Sequence, residues 1–540
     1  MDPVLHRLVR DRDSSGSGLA GLSDSALTFA IVGASVLLFV WGRVPVAIVA
    51  LGVALALWAT GVLEFDQALA GFGDPTVLFI ASLFVVSEAL DASGVTTWVG
   101  QRLVEQAGES RTRLLVLLLG LVAVVTALIN VNGAVAALMP VVVVMAIRLG
   151  RAPSKLLMPL AFGAHAGSLL ALTGTPVNVL ISEASAEAGT SAIGFFEFGA
   201  VGLPLVAATI AIVVLFGERL LPERRPRSLP ADLGAHAGRL AAQYSLDDDA
   251  ELMTRRTGVA EVVIPPRSEL IGEPAFAGMT TDSGELMVLA IQRGEEDLDR
   301  ETTLRAGDTL LLQGSWRALE TNLDDPDVLV VDTPDAVRRQ AVPLGPGAKR
   351  ALVVLAAMVV LLATGAIPAA AAGLLAACAL VLLGVLSIEQ AYRHISWTTV
   401  ILIAGMIPLS TAMVQTGAAQ QLADRLVDLV GDGSPHLLIA ALVLLTVVLG
   451  QLISNTATAL IMIPIAISAA GELGVSAKPI LMAIAVAAAA AFLTPVATPA
   501  NLIVMGPGGY RFGDYWKLGL PLLVLFVLAA VLLVPVIWPL

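Results

Sequence analysis

Nine pairs of identical residues in this chain stand 323 positions apart: Pro45 and Pro368, Gly61 and Gly384, Gln67 and Gln390, Thr76 and Thr399, Ser87 and Ser410, Gly94 and Gly417, Arg102 and Arg425, Pro176 and Pro499, and Asn178 and Asn501. Pro140 and Pro464 differ by 324, a one-residue indel. Prolines, glycines and asparagines punctuate a fold, so their shared spacing means that one structural unit occurs twice. The chain must therefore be built from two copies of that unit.

The unit belongs in a membrane. Of 540 residues, 57% are hydrophobic and only 14% charged, with a mean hydropathy of +0.86, too apolar for a water-soluble globule. Residues 26 to 60 read as two spans divided at Gly42-Arg43-Val44-Pro45, and 76 to 90 as a third, since a crossing helix needs about 20 mostly apolar residues. Leu114 to Ile129 and Ala134 to Ile147 form a hairpin whose arms are short for full crossings. That favours a re-entrant hairpin, tolerated at depth only inside protein or beside a water-filled cavity. Leu156 to Leu172 then runs into the break Thr173-Gly174-Thr175-Pro176-Val177-Asn178, and Gly199 to Phe216 closes the half. Each repeat has five crossings plus a hairpin that adds none or two. An odd number inverts one repeat relative to the other, as in many secondary transporters.

Inside these apolar runs lie two polar clusters, Asn130-Val131-Asn132-Gly133 and Ser454-Asn455-Thr456, at corresponding hairpin tips. Amides and hydroxyls in hydrocarbon are costly unless something polar meets them. Half-helix N-termini at the breaks offer N–H groups and a positive dipole end to an anion, while amide and hydroxyl oxygens suit a hard cation such as Na+. The bland alternatives are interhelical packing for Asn132 and Asn455, worth about 1 kcal/mol each, and simple capping of the helix break for Thr175 and Thr498. Clustering and repetition favour a shared site. His165 has Ala488 as its repeat counterpart and reads as a hydrogen-bonded core residue, with proton relay as the alternative. Glu88 and Asp91 read as interfacial anchors, and Cys378, the sole cysteine, as core packing.

The charges give an orientation. Arg102, Arg111, Arg113, Arg148, Arg151 and Lys155 share one side with Arg219, Arg224, Arg225 and Arg227, whereas 61 to 75 and 183 to 198 hold acids and no Lys or Arg. By the positive-inside rule the segment between the repeats is cytoplasmic and both termini are outside. Residues 1 to 25 form a polar tail in which no cleavable leader is read. The net charge is -13, and 24 of the 44 acids fall between Glu218 and Asp335, which argues against a nucleic-acid partner. Residues 217 to 258 read as linker, with a short helix at 231 to 243. Ala260 to Ile264, Leu286 to Gln292, Thr309 to Gln313 and Val328 to Val331 fit strands, and Arg267 to Ile271 and Arg317 to Asn322 short helices. A small α+β domain thus occupies 259 to 333, a second linker 334 to 349, and the membrane repeats 26 to 216 and 350 to 540.

Ser454-Asn455-Thr456, with Gly174-Thr175-Pro176-Val177-Asn178 and Thr494-Pro495-Val496-Ala497-Thr498-Pro499-Ala500-Asn501, resembles the divalent anion/sodium symporter (INDY-like) family of the ion transporter superfamily. The insert, through Glu261 to Gly272 and Leu304 to Leu310, resembles the C-terminal regulatory subdomain of potassium-conductance regulators (TrkA-C or RCK-C). The first resemblance implies a plasma-membrane homodimer of elevator-type symporters, each protomer moving a small divalent anion with coupled Na+ or H+. It implies substrate contacts from Asn130, Asn132, Thr175, Asn178, Ser454, Asn455, Thr456, Thr498 and Asn501. Sodium would sit on Thr126, Asn130, Gly174, Asn455 and Ala497. Where the family's middle Asn belongs in the first tip, this chain has Val131. The second resemblance implies a small regulatory ligand at the insert.

No catalytic constellation and no phosphate-binding Gly-rich loop is present, so an enzyme is not expected, nor any cofactor beyond Na+ as coupling ion. The rival readings are a cation/proton antiporter or arsenite-type permease on the same scaffold, and a channel gated by the insert. Amide and hydroxyl tips grip a dicarboxylate and sulfate alike, so the anion is not named.

Overall fold

A computed structural model describes residues 23–224, 253, 257–331 and 344–540, apart from 96–97, 100–101, 103–105, 107–109, 149–150, 282, 295, 299–300, 324, 346, 431–434 and 496. The predicted helix at 231 to 243 lies outside them. Helix α1 (Asp24–Trp41) starts on Ser23, whose hydroxyl accepts from the Ala26 N–H. It is followed by α2 (Val46–Ala59), the short α3 (Phe65–Leu69) and α4 (Pro75–Ala92), which Asp74 caps. Helices α5 (Arg111–Ile129) and α6 (Val131–Arg148) meet at Asn130; α7 (Leu157–Gly167) and α8 (Pro176–Glu187) flank the break; α9 (Gly199–Leu220) ends the half.

The insert is an antiparallel sheet in the order β4-β3-β6-β1-β7, from Thr257–Val263 (β1), Leu286–Arg293 (β3), Glu296–Asp297 (β4), Asp308–Ser315 (β6) and Leu329–Val330 (β7). A second pair joins β2 (Pro274–Ala275) to β5 (Thr302–Thr303), and α10 (Trp316–Asn322) packs beside β1 and β6. Val262, Ile264, Leu286, Val288, Leu310, Leu312 and Trp316 bury a separate core. Arg267 to Ile271 forms successive turns and not a helix. Pro265-Pro266 precedes it and Gly272 follows at φ +99, so neither end propagates an α-turn.

The second half repeats the first. It comprises α11 (Ala348–Thr364), α12 (Ala369–Leu382), α13 (Ile388–His394), α14 (Trp397–Gln415), α15 (Ala418–Val430), α16 (Pro435–Leu452), α17 (Asn455–Leu473), α18 (Ala477–Ala489), α19 (Pro499–Met505) and α20 (Tyr515–Leu528), which runs on through a π-helical stretch, Ala529–Leu533, to α21 (Val534–Ile537). Helices α2 and α12 begin and end at the repeat spacing, and α8 and α19 both begin at its prolines. Gly61 and Gly94, at φ +77 and +71, and their partners Gly384 and Gly417, at +67 and +71, make the same left-handed turns. A side chain there would be strained, which accounts for glycine at both copies.

The halves interlock. Helix α14 of the second packs on α2 of the first, and α12 on α4, the same exchange made twice. A Cβ on Gly405 would stand 2.8 Å from the Ala50 backbone, so α14 and α2 meet nearly backbone to backbone. Further contacts join the copies at their ends. Arg224 forms a two-pronged ion pair with Asp514 at 2.7 and 3.0 Å. Glu197 holds Lys478 at 2.6 Å and accepts from the Trp538 indole at 2.7 Å.

Among the described residues, eight helices are long and apolar enough to cross a membrane, and the chain is a multi-pass membrane protein. Three expectations need correction. The first hairpin's arms run to 19 and 18 residues, because Asn130 caps α6 and draws Asn132 and Gly133 into its first turn; shortness of the arms no longer argues for re-entry. Glu88 is no interfacial anchor: it is buried, 3.4 Å from the His394 Nε2 across the repeats. Cys378 is exposed on α12, with Leu374, Leu375 and Leu382 on the same outward face, because hydropathy alone does not separate a lipid-facing side from a core one.

Candidate functional site

The two tips and the two breaks line one cavity of about 180 Å³. Asn130 holds φ +137, an uncommon value for a non-glycine residue. Its Oδ1 accepts from the Gly133 N–H at 2.9 Å, capping α6. In the second copy Ser454 does the same for α17, its hydroxyl accepting from the Ala457 N–H at 3.3 Å. Matching the caps puts Val131 opposite Asn455 and Asn132 opposite Thr456. Thr175 and Thr498 are the N-caps of α8 and α19, in the same extended conformation, with φ of -156 and -144. The cavity is thus a meeting point of helix N-termini.

Eight of the residues singled out from the sequence line it: Asn130, Asn132, Thr175, Ser454, Asn455, Thr456, Ala497 and Thr498, with Val131 and His165 beside them. Asn178 and Asn501 do not. Each is fully buried and its amide turns back onto the break: Asn178 Nδ2 donates to the carbonyls of Ser168 and Ala171 at 2.7 and 2.9 Å, and Asn501 Nδ2 to those of Ala491 and Thr494 at 2.8 and 3.0 Å. Both sets of acceptors obey the repeat spacing. These asparagines staple the unwound backbone in place. Gly174 lies behind the cavity wall, where a Cβ would fall 2.2 Å from the Ser168 carbonyl oxygen.

Five lining residues lie outside the motifs singled out from the sequence: Val46, Phe84, Thr398, Thr399 and Leu402. Thr399 carried a signal as the repeat partner of Thr76. The two part company in space, because Thr76 is buried at the start of α4 while Thr399 reaches the cavity from α14.

Among the described residues no Asp, Glu, Lys or Arg lines the cavity, and His165 is the one ionisable side chain that does. Negative charge held there must be met by amides, hydroxyls, helix N-termini or a co-bound cation. Several buried oxygens in the helices of the tips and breaks have no protein donor: Thr126 Oγ1 and Asn178 Oδ1 in the first copy, and Asn455 Oδ1, Thr458 Oγ1 and Asn501 Oδ1 in the second; of these residues Asn455 lines the cavity. Unpaired buried oxygens are costly, and oxygen sets without donors suit a hard cation. Thr458 was not foreseen. No cluster of His, Cys, Asp or Glu suited to a transition metal occurs among the described residues.

The family model described as citrate transporter matches residues 36–432 and 367–539. The chain belongs to the citrate transporter family. It is 31% identical to the uncharacterized transporter YfbS of Escherichia coli (strain K12), over 94% of this chain and 98% of that protein. Sodium/sulfate cotransporter 1 of Chlamydomonas reinhardtii is 27% identical over 43% of this chain and 27% of its own length. The solved structure of the Alcanivorax borkumensis YdaH transporter gives a TM-score of 0.47 at 15% identity, covering 93% of this chain and 98% of that one. The family and its relatives are transporters, not enzymes.

Proposed function

We propose that this chain is a secondary active transporter that carries a small divalent anion, sulfate or a dicarboxylate, in symport with Na+ or H+. The observation that carries the reading is the single cavity built from both hairpin tips and both breaks, lined among the described residues by amides and hydroxyls and by no charged side chain, with the unpartnered oxygen of Asn455 at its second tip. Asn130, Asn132, Thr175, Ser454, Asn455, Thr456 and Thr498 hold the anion. Asn455 and Ala497 hold Na+ at the second tip. At the first, Thr126, Asn130 and Gly174 form a weaker counterpart, since Val131 supplies no oxygen. The name of the Chlamydomonas relative favours sulfate as the first anion to test.

The repeats are inverted, which the odd number of crossings in each and the reciprocal exchange of helices support. In that orientation the start of α2 and the start of α14 are cytoplasmic ends. Val46, Thr398 and Thr399 extend the cavity toward them, so the conformation opens inward. Transport proceeds by elevator motion in a plasma-membrane homodimer, and the insert is a cytoplasmic regulatory module of the TrkA-C type with its own small ligand. The test is uptake of radiolabelled sulfate and succinate into proteoliposomes, with Na+ and pH gradients imposed separately. Flux at single-channel rates without saturation would replace the transporter by a gated channel. Uptake of neither anion under any gradient would refute the reading.

A further inference from the structure

His165 lies on α7, buried, at the cavity wall. Its Nε2 is 3.1 Å from the Thr498 hydroxyl of the opposite repeat, and its ring stands edge-on to Phe492, with centroids 5.8 Å apart at 90°. What the ring does there follows from its tautomer: with the proton on Nε2 it donates to the Thr498 hydroxyl.

The consequence falls on Thr498. Its oxygen accepts from the Asn501 N–H at 3.4 Å as the α19 cap and from the His165 N–H. With its lone pairs engaged, the hydroxyl is left to act as a donor, and it lines the cavity. The first repeat has no such device, because Ala488 stands at the counterpart of His165; the recorded contact of the Thr175 hydroxyl is its own cap, from the Val177 N–H at 3.4 Å.

We propose that His165 is a positioning residue for the anion: through Thr498 it fixes one hydroxyl as an oriented donor toward an oxyanion of the sulfate or carboxylate class. This rests on the anion-transport reading above and specifies which atom grips. An apolar residue of similar size leaves Thr498 free to donate to the break instead, whereas glutamine, whose terminal NH2 reaches as far as Nε2, restores the bond.

The experiment uses the full chain in proteoliposomes, with sulfate and succinate as probes, and variants His165→Leu, His165→Gln, His165→Ala, Thr498→Ala and the double His165→Leu/Thr498→Ala. Losing one oriented donor predicts KM raised about tenfold in the Leu and Ala variants, with the Na+ dependence unchanged. The Gln variant stays within about threefold of wild type, and the double variant is no worse than Thr498→Ala alone. Should His165→Ala fail to fold, the size-matched Leu and Gln pair carries the test, with thermal unfolding of each as the control. A Leu variant with wild-type KM, a Gln variant as poor as Leu, or additive losses in the double would each overturn the proposal while wild-type uptake keeps the anion reading intact. If wild type moves neither anion, that reading fails and the proposal falls with it.

Discussion

Replacing Asn501 separates the role its geometry gives it from the substrate contact that its motif suggested. Its amide donates to the carbonyls of Ala491 and Thr494 at 2.8 and 3.0 Å in a fully buried position. Asn501→Ala deletes both bonds and strands two carbonyls, a loss of about 2–4 kcal/mol when a net bond is worth about 1 kcal/mol and an orphaned buried acceptor adds to it. Asn178→Ala removes the same two bonds at the same spacing in the other repeat and should cost a similar amount. The assay is thermal or denaturant unfolding of purified protein in detergent, with sulfate binding in parallel. Both variants should unfold earlier, in parallel, and lose affinity only as far as the break loosens. An Asn501→Ala protein as stable as wild type that has lost anion binding would refute the staple and restore Asn501 as a direct ligand.

Asn455→Ala, which removes an amide from the second tip and its donor-less oxygen, should abolish uptake while size-exclusion profile and thermal stability stay those of wild type. Val131→Asn restores to the first tip the oxygen it lacks and should steepen the Na+ dependence of uptake; an unchanged Na+ titration would mean that the asymmetry does not affect coupling. In the insert, burial would push the Asp308 carboxyl up, but the Arg293 guanidinium at 2.7 and 2.8 Å and the Arg305 N–H at 2.8 Å hold it below its usual range. The stability it contributes is fully present above the ordinary carboxylate pKa of about 4 and is lost as pH falls through the lower folded value. Asp308→Asn should therefore destabilise the insert at pH 7 and flatten its acid unfolding curve, followed by proteolysis of the sheet region.

The sequence was most informative where chemistry recurs. Prolines and asparagines at one spacing located both breaks, where backbone geometry demands them, and polar clusters inside apolar hairpins located both tips. It was least informative where side-chain direction decides. Asn178 and Asn501 sit beside true lining residues in the motif, yet one helical position turns their amides to the backbone and away from the cavity. Glu88 looked like an end-of-helix charge because its partner, His394, comes from the other repeat. Cys378 was misplaced for a related reason: a span that meets lipid is apolar on every face. Thr398 and Thr399 were overlooked because the cavity closes against α14, a juxtaposition set by the exchange of helices between halves.

That exchange has a consequence for biosynthesis. Helix α2 packs on α14, which starts about 350 residues further along the chain, so at about 5–20 residues per second it waits roughly 20–70 s for its partner to be made. Throughout that interval the first half stands in the bilayer as an unclosed shell, with the polar tip at Asn130 lacking the Ser454–Thr456 side of its cavity. Nascent first halves are therefore the form most exposed to quality-control proteases that survey membrane helices, and a truncated transcript ending in the insert should yield protein that is degraded instead of a smaller transporter.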